Sequence, residues 1–314
     1  MSQIGFKVSA KAARLIGREN ITDADGAIVE LIKNAYDADA ECVYLKFDMP
    51  FASVPYIIKS TDKLSAEDII VIKKYYTFTN GQFERTVYNE DSTLELENVF
   101  FKYNTIILID NGTGMDEETV TNSWMHIGTS NKETNYISSK GRIKTGAKGI
   151  GRFALDKLSV ISKMHTATVP GDTIHWELNW NQFTDAQLLD QVTATLSTDT
   201  ESFNDIVKKY AGNDYNNISK YDWTHGTAII LSPLREPWNE KQFKKINNAI
   251  QSLNPFGEVD EFSIYITNTH LPTFSYKPQL IQLTANDYDY RINSEFNGDT
   301  TLNITLLRNE FDKN

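Results

Sequence analysis

The order of helical and strand-like segments predicts an α+β domain built in layers. Three observations carry this. Helix and strand periods follow one another irregularly, without the strict strand–helix–strand alternation of a doubly wound sheet. Hydrophobic residues make up 40% of the chain, ample for a packed core and too many for a disordered chain. The length of 314 residues suits two domains, or one large domain with an appendage, at roughly 150 residues per domain.

Residues 9–19 read as a helix. A second runs from about Asp25 to Ala38, with Thr22 or Asp23 able to cap it. Glu41 to Asp48 alternates with a strand period. Residues 50–104 are less regular, with a helix near Ala66–Tyr75 and acidic side chains around Glu90–Glu97. Thr105–Ile109 is a short apolar run, read as a buried strand entering a turn at Asp110-Asn111-Gly112. Residues 116–145 are polar, with a helix around Glu117–His126. A helix follows Gly151, and strands are expected at Leu158–Lys163, Trp176–Trp180 and Ala228–Leu231. The Asn- and Asp-rich stretch 201–225 reads as a surface excursion. A helix near Glu240–Leu253 ends where Pro255 blocks it. Strands after about 260 read as the start of a second domain, cut short at Asn314.

Composition excludes several classes of function. A net charge of −11 argues against a nucleic-acid-binding surface over the whole chain, because phosphate contacts need clustered Lys and Arg. Cys42 is the one cysteine, so an internal disulfide and a multi-cysteine zinc site are excluded. The five histidines are scattered, with no H-x-x-x-H spacing. The N-terminus lacks the apolar run of a signal peptide, and no stretch reaches the ~18 apolar residues that span a bilayer. A soluble, cytoplasmic protein without a membrane partner is expected.

Four segments could carry chemistry. On the helix from Ala27, Glu30 and Asn34 stand one turn apart and Asp37 nearly a turn further, all on one face. Such a stripe is often only a solvated face; chemically it offers a general base (Glu30) beside an oxygen ligand for Mg²⁺ (Asn34). Asp110-Asn-Gly112-Thr-Gly114-Met115 reads either as a hairpin turn or as a buried acid with close backbone approach, able to accept from an exocyclic amine such as that of adenine. Lys140 to Phe153 is glycine-rich, and seven basic residues stand against two acidic ones between Lys132 and Lys157. It misses the P-loop pattern, since Ala147 stands where the lysine belongs, and it reverses the Rossmann spacing. A glycine loop opening a helix can still cradle phosphate through free backbone N–H groups. His225-Gly226-Thr227 reads alone as an ordinary strand start.

Taken in order, these pieces resemble the motifs of the GHKL ATPase superfamily, which holds gyrase, the ninety-kilodalton heat-shock chaperones, histidine kinases and MutL. Glu30-x-x-x-Asn34-Ala35-x-Asp37-Ala38 is similar to the first motif and Asp110-x-Gly112-x-Gly114 to the second. Gly146-x-x-Gly149-x-Gly151 is similar to the third and Gly226-Thr227 to the fourth. Ile127-Gly-Thr129-Ser-Asn-Lys132 resembles the chaperone, MutL and MORC-type branch, whose N-terminal modules the chain looks closest to.

The resemblance implies a Bergerat fold, a two-layer α/β sandwich in which helices cover one face of a mixed sheet and ATP sits over the helical layer. It implies that Glu30 polarises the attacking water and Asn34 holds Mg²⁺. Asp110 would bind the adenine amino group with help from Thr227 and a bridging water, and Gly114 and Met115 would border the base. The lid would span about 116–145 and include Thr129 and Lys132, with Gly146, Ala147, Lys148, Gly149, Ile150 and Gly151 around the phosphates. The ATP-binding domain would cover 1–258, with an insertion at about 50–104, and 259–314 would begin a transducer-like domain. An Mg²⁺-dependent ATPase with ATP-gated homodimerisation is implied, with residues 1–20 crossing between subunits. Nucleic-acid or protein clients would be met through regions outside this chain. A histidine-kinase catalytic domain and an ATP-sensing scaffold without turnover are the alternatives.

Overall fold

The computed structural model describes residues 7–19, 21, 23–127, 137–142, 144, 151–253, 262–276, 290–298 and 300–308. Seven strands form one mixed sheet, in the spatial order β10 (Ser263–Asn268), β1 (Cys42–Asp48), β5 (Thr105–Asp110), β9 (Gly226–Leu231), β6 (Ile161–Ala167), β7 (Ile174–Asn179) and β8 (Thr195–Thr198). Only the β1–β10 pair is parallel.

Alternation along each strand sorts side chains to two faces. Val43, Leu45, Ile106, Leu108, Met164, Trp176 and Ile229 point to one face and pack with α2 (Ala24–Asp37) and the helices Phe153–Leu158 and Glu240–Leu253. Cys42, Tyr44, Ile107, Ile109, Ala228 and Ile230 point to the other. Both faces of β5 are covered, which is why its sequence is continuously apolar rather than alternating. The predicted α+β sandwich of a mixed sheet and a helical layer is what the chain forms.

The second face is closed by the stretch expected as a surface excursion. Ser202 caps the helix Phe203–Ala211 by accepting from Asp205 N–H, and Phe203, Ile206, Val207 and Trp223 are buried against the sheet. Each such side chain contributes roughly 1.5–3 kcal/mol by leaving water. The Asn and Asp residues that suggested a loop lie between these apolar positions.

α1 (Ala10–Glu19) lies against the helix Phe153–Leu158. A Cβ on Gly17 would fall 2.2 Å from the Phe153 ring, so only glycine allows this approach. The fully buried carboxylate of Asp156 fixes the geometry. Arg14 donates to both of its oxygens at 2.7 and 2.8 Å, Arg235 donates to it at 2.8 Å, and Arg18 lies 3.8 Å away.

Residues 50–104 form a unit with its own core. Helix α3 (Ala66–Tyr75) is capped by Ser65 and helix α4 (Glu90–Phe101) by Asn89. They flank a small antiparallel sheet, β2 (Ile57–Ile58), β4 (Gln82–Arg85) and β3 (Tyr76–Thr79). Ile72, Tyr76, Leu96, Val99 and Phe100 fill the space between. Paired hydrogen bonds between Phe51 and Asn104 join the two ends of the unit where it leaves the main sheet.

One boundary is corrected. Residues after 258 were expected to open a second domain, but β10 pairs in parallel with β1 over six residues and buries Ile264, Tyr265 and Ile266 in the two cores. The strand extends the main sheet beyond β1, and the burial of its apolar side chains on both faces holds it there. β11 (Tyr290–Phe296) and β12 (Leu302–Arg308) form a separate antiparallel hairpin. Among the described residues no helix is long and apolar enough to cross a membrane.

Candidate functional site

The N-terminus of α2 is set by Asp23, whose carboxylate accepts from Gly26 N–H at 3.0 Å. Ala27, Ile28, Leu31, Ile32 and Ala35 bury one side of the helix. That rotation leaves Glu30 and Asn34 half-buried on the flank, with Asp37 buried a turn beyond. Glu30 accepts an ion pair from Lys33 at 3.0 Å. At this exposure the pair is worth little, and both side chains can turn to a ligand.

Asn34 meets the end of the glycine-rich segment. A Cβ built on Gly151 would lie 3.2 Å from Asn34 Nδ2. The first and third motifs therefore touch, and glycine keeps the space in front of the Asn34 amide open.

The second motif is not a hairpin. β5 pairs with β1 and β9 rather than folding back at Asp110. Asn111 instead locks the following turn to β1, its Oδ1 accepting from Glu41 and Cys42 N–H at 2.9 and 2.8 Å. Thr113 N–H then donates to Ala38 O at 2.8 Å. Gly114 has φ of +66°, and a Cβ there would sit 1.8 Å from Ala167 O, so the backbone runs hard against the end of β6.

Asp110 faces the helical layer with 5% of its surface exposed. Across the sheet it stands opposite Thr227 on β9, which stands opposite Thr166 on β6. These three form a polar row across three neighbouring strands of the face that packs on α2. Burial pushes the Asp110 carboxyl up to about 7, against the pull of hydrogen bonds from Gly112 and Thr227 N–H and the nearby His225. Thr166 Oγ1 accepts from Met115 N–H at 2.8 Å, donates to Gly226 O at 3.0 Å and lies 3.2 Å from Thr227 Oγ1. His225 Nδ1 lies 2.5 Å from Gly112 O. Because that oxygen only accepts, Nδ1 carries the proton.

Thus Asp110, Gly112, Gly114, Met115 and Thr227 come together at the ends of β5, β9 and β6, and Glu30, Asn34, Asp37 and Gly151 gather on and beside α2. Thr129, Lys132, Gly146, Ala147, Lys148, Gly149 and Ile150 lie outside the described residues. Sequence reading missed Thr166, because a threonine within an apolar strand carries no motif; only the register sets it beside Thr227.

The basic run is also less available than its composition suggests. Arg142 is buried and donates to Tyr36 O and Ala40 O at 3.2 and 2.7 Å, clamping the C-terminus of α2. Lys140 pairs with Glu41 at 2.7 Å. Arg152 lies over the Trp124 ring, and burial depresses its guanidinium to about 10. Nearby, Asp39 has φ of +61°. Burial opposes its charge, but Ser138 Oγ–H, Ser139 Oγ–H, Lys140 N–H and the Arg142 charge outweigh that and hold the carboxyl below its usual range.

The described part of the expected lid begins with Asp116 capping Glu117–Thr119. The chain then widens into a π-helical turn, Val120–Trp124, closed by Met125 N–H to Val120 O at 2.9 Å. Below it Trp124, Ile127, Phe153, Trp176 and Phe183 line a cavity of about 300 Å³.

Residues 91–212 match the model of a family described as histidine kinase-, DNA gyrase B- and HSP90-like ATPases. The match includes Asp110 through Met115 and Gly151, while Glu30, Asn34 and Thr227 lie outside it and join the site through the fold. Among curated proteins no match is found.

Proposed function

From its place in the GHKL ATPase superfamily, we propose that this chain binds ATP with Mg²⁺ and hydrolyses it, and that nucleotide occupancy gates its dimerisation. The observation that carries this reading is the buried Asp110 carboxylate, held in a row with Thr227 and Thr166 and facing the helical layer. Among the described residues no cation pairs with it in a salt bridge. A carboxylate desolvated in that way is costly unless a ligand donates to it, and the exocyclic amine of adenine is such a donor. Gly112 and Gly114 let the chain after Asp110 pack tightly against Ala38 and Ala167, and Met115, which follows them, would supply apolar contact beside the base.

The residues present suit Mg²⁺. Asn34 offers an uncharged oxygen of the hard type this ion selects, and the missing Cβ of Gly151 leaves room before the amide. When bound, the ion would neutralise phosphate charge. Glu30, one turn earlier on the same flank of α2, would accept the proton of the attacking water, exchanging its ion pair with Lys33 for that contact. Dimerisation rests on the resemblance alone.

Titration calorimetry with Mg²⁺ and a non-hydrolysable ATP analogue tests binding, and light scattering on the same samples tests assembly. The expected result is one nucleotide per chain with a doubling of mass. Glu30→Ala should bind ATP normally and release ADP at the background rate. A folded sample that does not bind would overturn the reading, and Glu30→Ala turning over at the wild-type rate would remove Glu30 as the base.

A further inference from the structure

The face of the sheet away from the nucleotide pocket carries a second cluster of titratable side chains. His165 on β6 and His175 on β7 are directly opposed in the antiparallel register, and their ring centroids lie 4.7 Å apart. Asp199 follows β8, where its backbone N–H donates to Thr173 O at 2.7 Å. Its Oδ2 lies 2.6 Å from His165 Nδ1. One potential ligand atom from each residue falls within 4.8 Å of those of the other two. His165 is buried, while His175 and Asp199 are partly open.

From this geometry we infer that His165, His175 and Asp199 bind a divalent transition-metal ion, with Zn²⁺ the best match, in a site separate from the nucleotide pocket. Two imidazoles and one carboxylate are a borderline-soft donor set that suits Zn²⁺ and disfavours the all-oxygen preference of Mg²⁺. The spacing is close to what the ion needs. Ligands about 2.0–2.2 Å from a tetrahedral zinc lie roughly 3.3 Å from one another. The 2.6 Å contact is shorter than this and the 4.8 Å limit longer. Small rotations of the two partly open side chains reconcile both, while the buried His165 stays as the anchor.

A second observation points the same way. His175 Nδ1 is buried without a hydrogen-bond partner among the described residues, and a buried imidazole nitrogen without a partner is costly. Metal ligation would satisfy it. The local charge permits a cation. Lys163 is held by Glu177 at 3.1 Å and Lys209 by Glu201 at 3.0 Å, so each nearby ammonium has its own carboxylate. Glu177 Oε2 also lies 3.8 Å from His175 Nε2, close enough to orient the ring. The ion would tie the β6–β7 pair to the segment leading into Phe203–Ala211. Its role would be structural, clamping the outer strands to the helix that covers them.

The test is a calorimetric titration of ZnCl₂ into the untagged, nucleotide-free chain with excess Mg²⁺ present. Parallel samples take Co²⁺, whose visible absorption reports tetrahedral nitrogen and oxygen ligation. Stoichiometric binding is expected, with a rise in Tm, and His175→Gln and Asp199→Asn should each weaken it about tenfold or more. Circular dichroism on each variant establishes that it is folded. Substoichiometric binding, a Co²⁺ spectrum of octahedral type, or unchanged affinity in folded His175→Gln protein would each overturn the site, whether or not ATP binding holds. The last result would assign the metal to one of the other histidines.

Discussion

Two buried aspartates, one at the end of β5 facing the helical layer and one on a helix of that layer, are treated in opposite ways. Asp156 lies within contact range of three guanidiniums, from Arg14, Arg18 and Arg235, and joins α1, the helix Phe153–Leu158 and the loop after β9. Asp110 has the N–H groups of Gly112 and Thr227 and an indirect pull from His225, and burial raises its carboxyl to about 7. One acid is saturated and holds elements together. The other keeps, among the described residues, only backbone donors and an indirect pull from His225, and in the proposed function a ligand's amine completes it. Unequal treatment of equal groups separates scaffold from site more sharply than burial does.

The largest expected effect breaks the saturated acid. Asp156→Ala should destabilise the fold by about 3–5 kcal/mol, because three arginines lose a shared buried partner. Denaturant titration measures this; a change below 1 kcal/mol would make Asp156 a bystander. The contrasting exchange is Asp110→Asn, which reverses the acceptor pattern and should weaken ATP analogue binding by about 2–4 kcal/mol, or roughly thirtyfold to a thousandfold. Without nucleotide the same variant should be more stable than wild type at pH 8, by about 1–2 kcal/mol, since it removes a charge whose burial is unfavourable.

The pH dependence sharpens the comparison further. Asp110 has a raised pKa in the folded state, to about 7, so the folded chain holds this proton where the unfolded chain has lost it. Its contribution to stability is therefore largest in acid and declines as pH rises through about 7. Binding has the opposite sign, since the amine needs the ionised acceptor. Adenosine, which has no phosphate to titrate, should bind more weakly at pH 6 than at pH 8, by up to about tenfold per pH unit below 7. A flat profile would mean that Asp110 is ionised throughout or does not touch the base.

The smallest effect concerns the residue that links the floor to the loop. Thr166→Val keeps the shape and removes the hydroxyl that bonds Met115 N–H and Gly226 O. A loss of about 1–3 kcal/mol in stability is expected from the orphaned amide and carbonyl. Nucleotide affinity should fall with it, because Gly114 and Met115 lose their hold on β6. Unchanged stability and affinity would show that Thr166 is filler.

Much of this was legible in the chain. The helix bearing Glu30 and Asn34 announces itself through Asp23 and its apolar period, and β5 through four consecutive apolar residues before Asp110. Local periodicity and capping depend on residues a few positions apart, so the sequence alone determines them. The four motif segments belong to this class, since each fits within one helix, one turn or one loop. Tertiary structure decided the rest. Arg142 counted as phosphate-binding charge until the fold set it against the carbonyls of Tyr36 and Ala40. The segment 201–225 looked like a loop until the sheet offered its apolar residues a surface. β10 reads as the start of another domain until both cores take up its Ile264, Tyr265 and Ile266. His165 and Thr166, adjacent in the chain, serve opposite faces of the sheet, and their partners His175 and Thr227 were fixed only by strand register. Register is a long-range property: shifting a strand by one residue exchanges its two faces, so no local pattern could have told which of the two would share a face with Asp110.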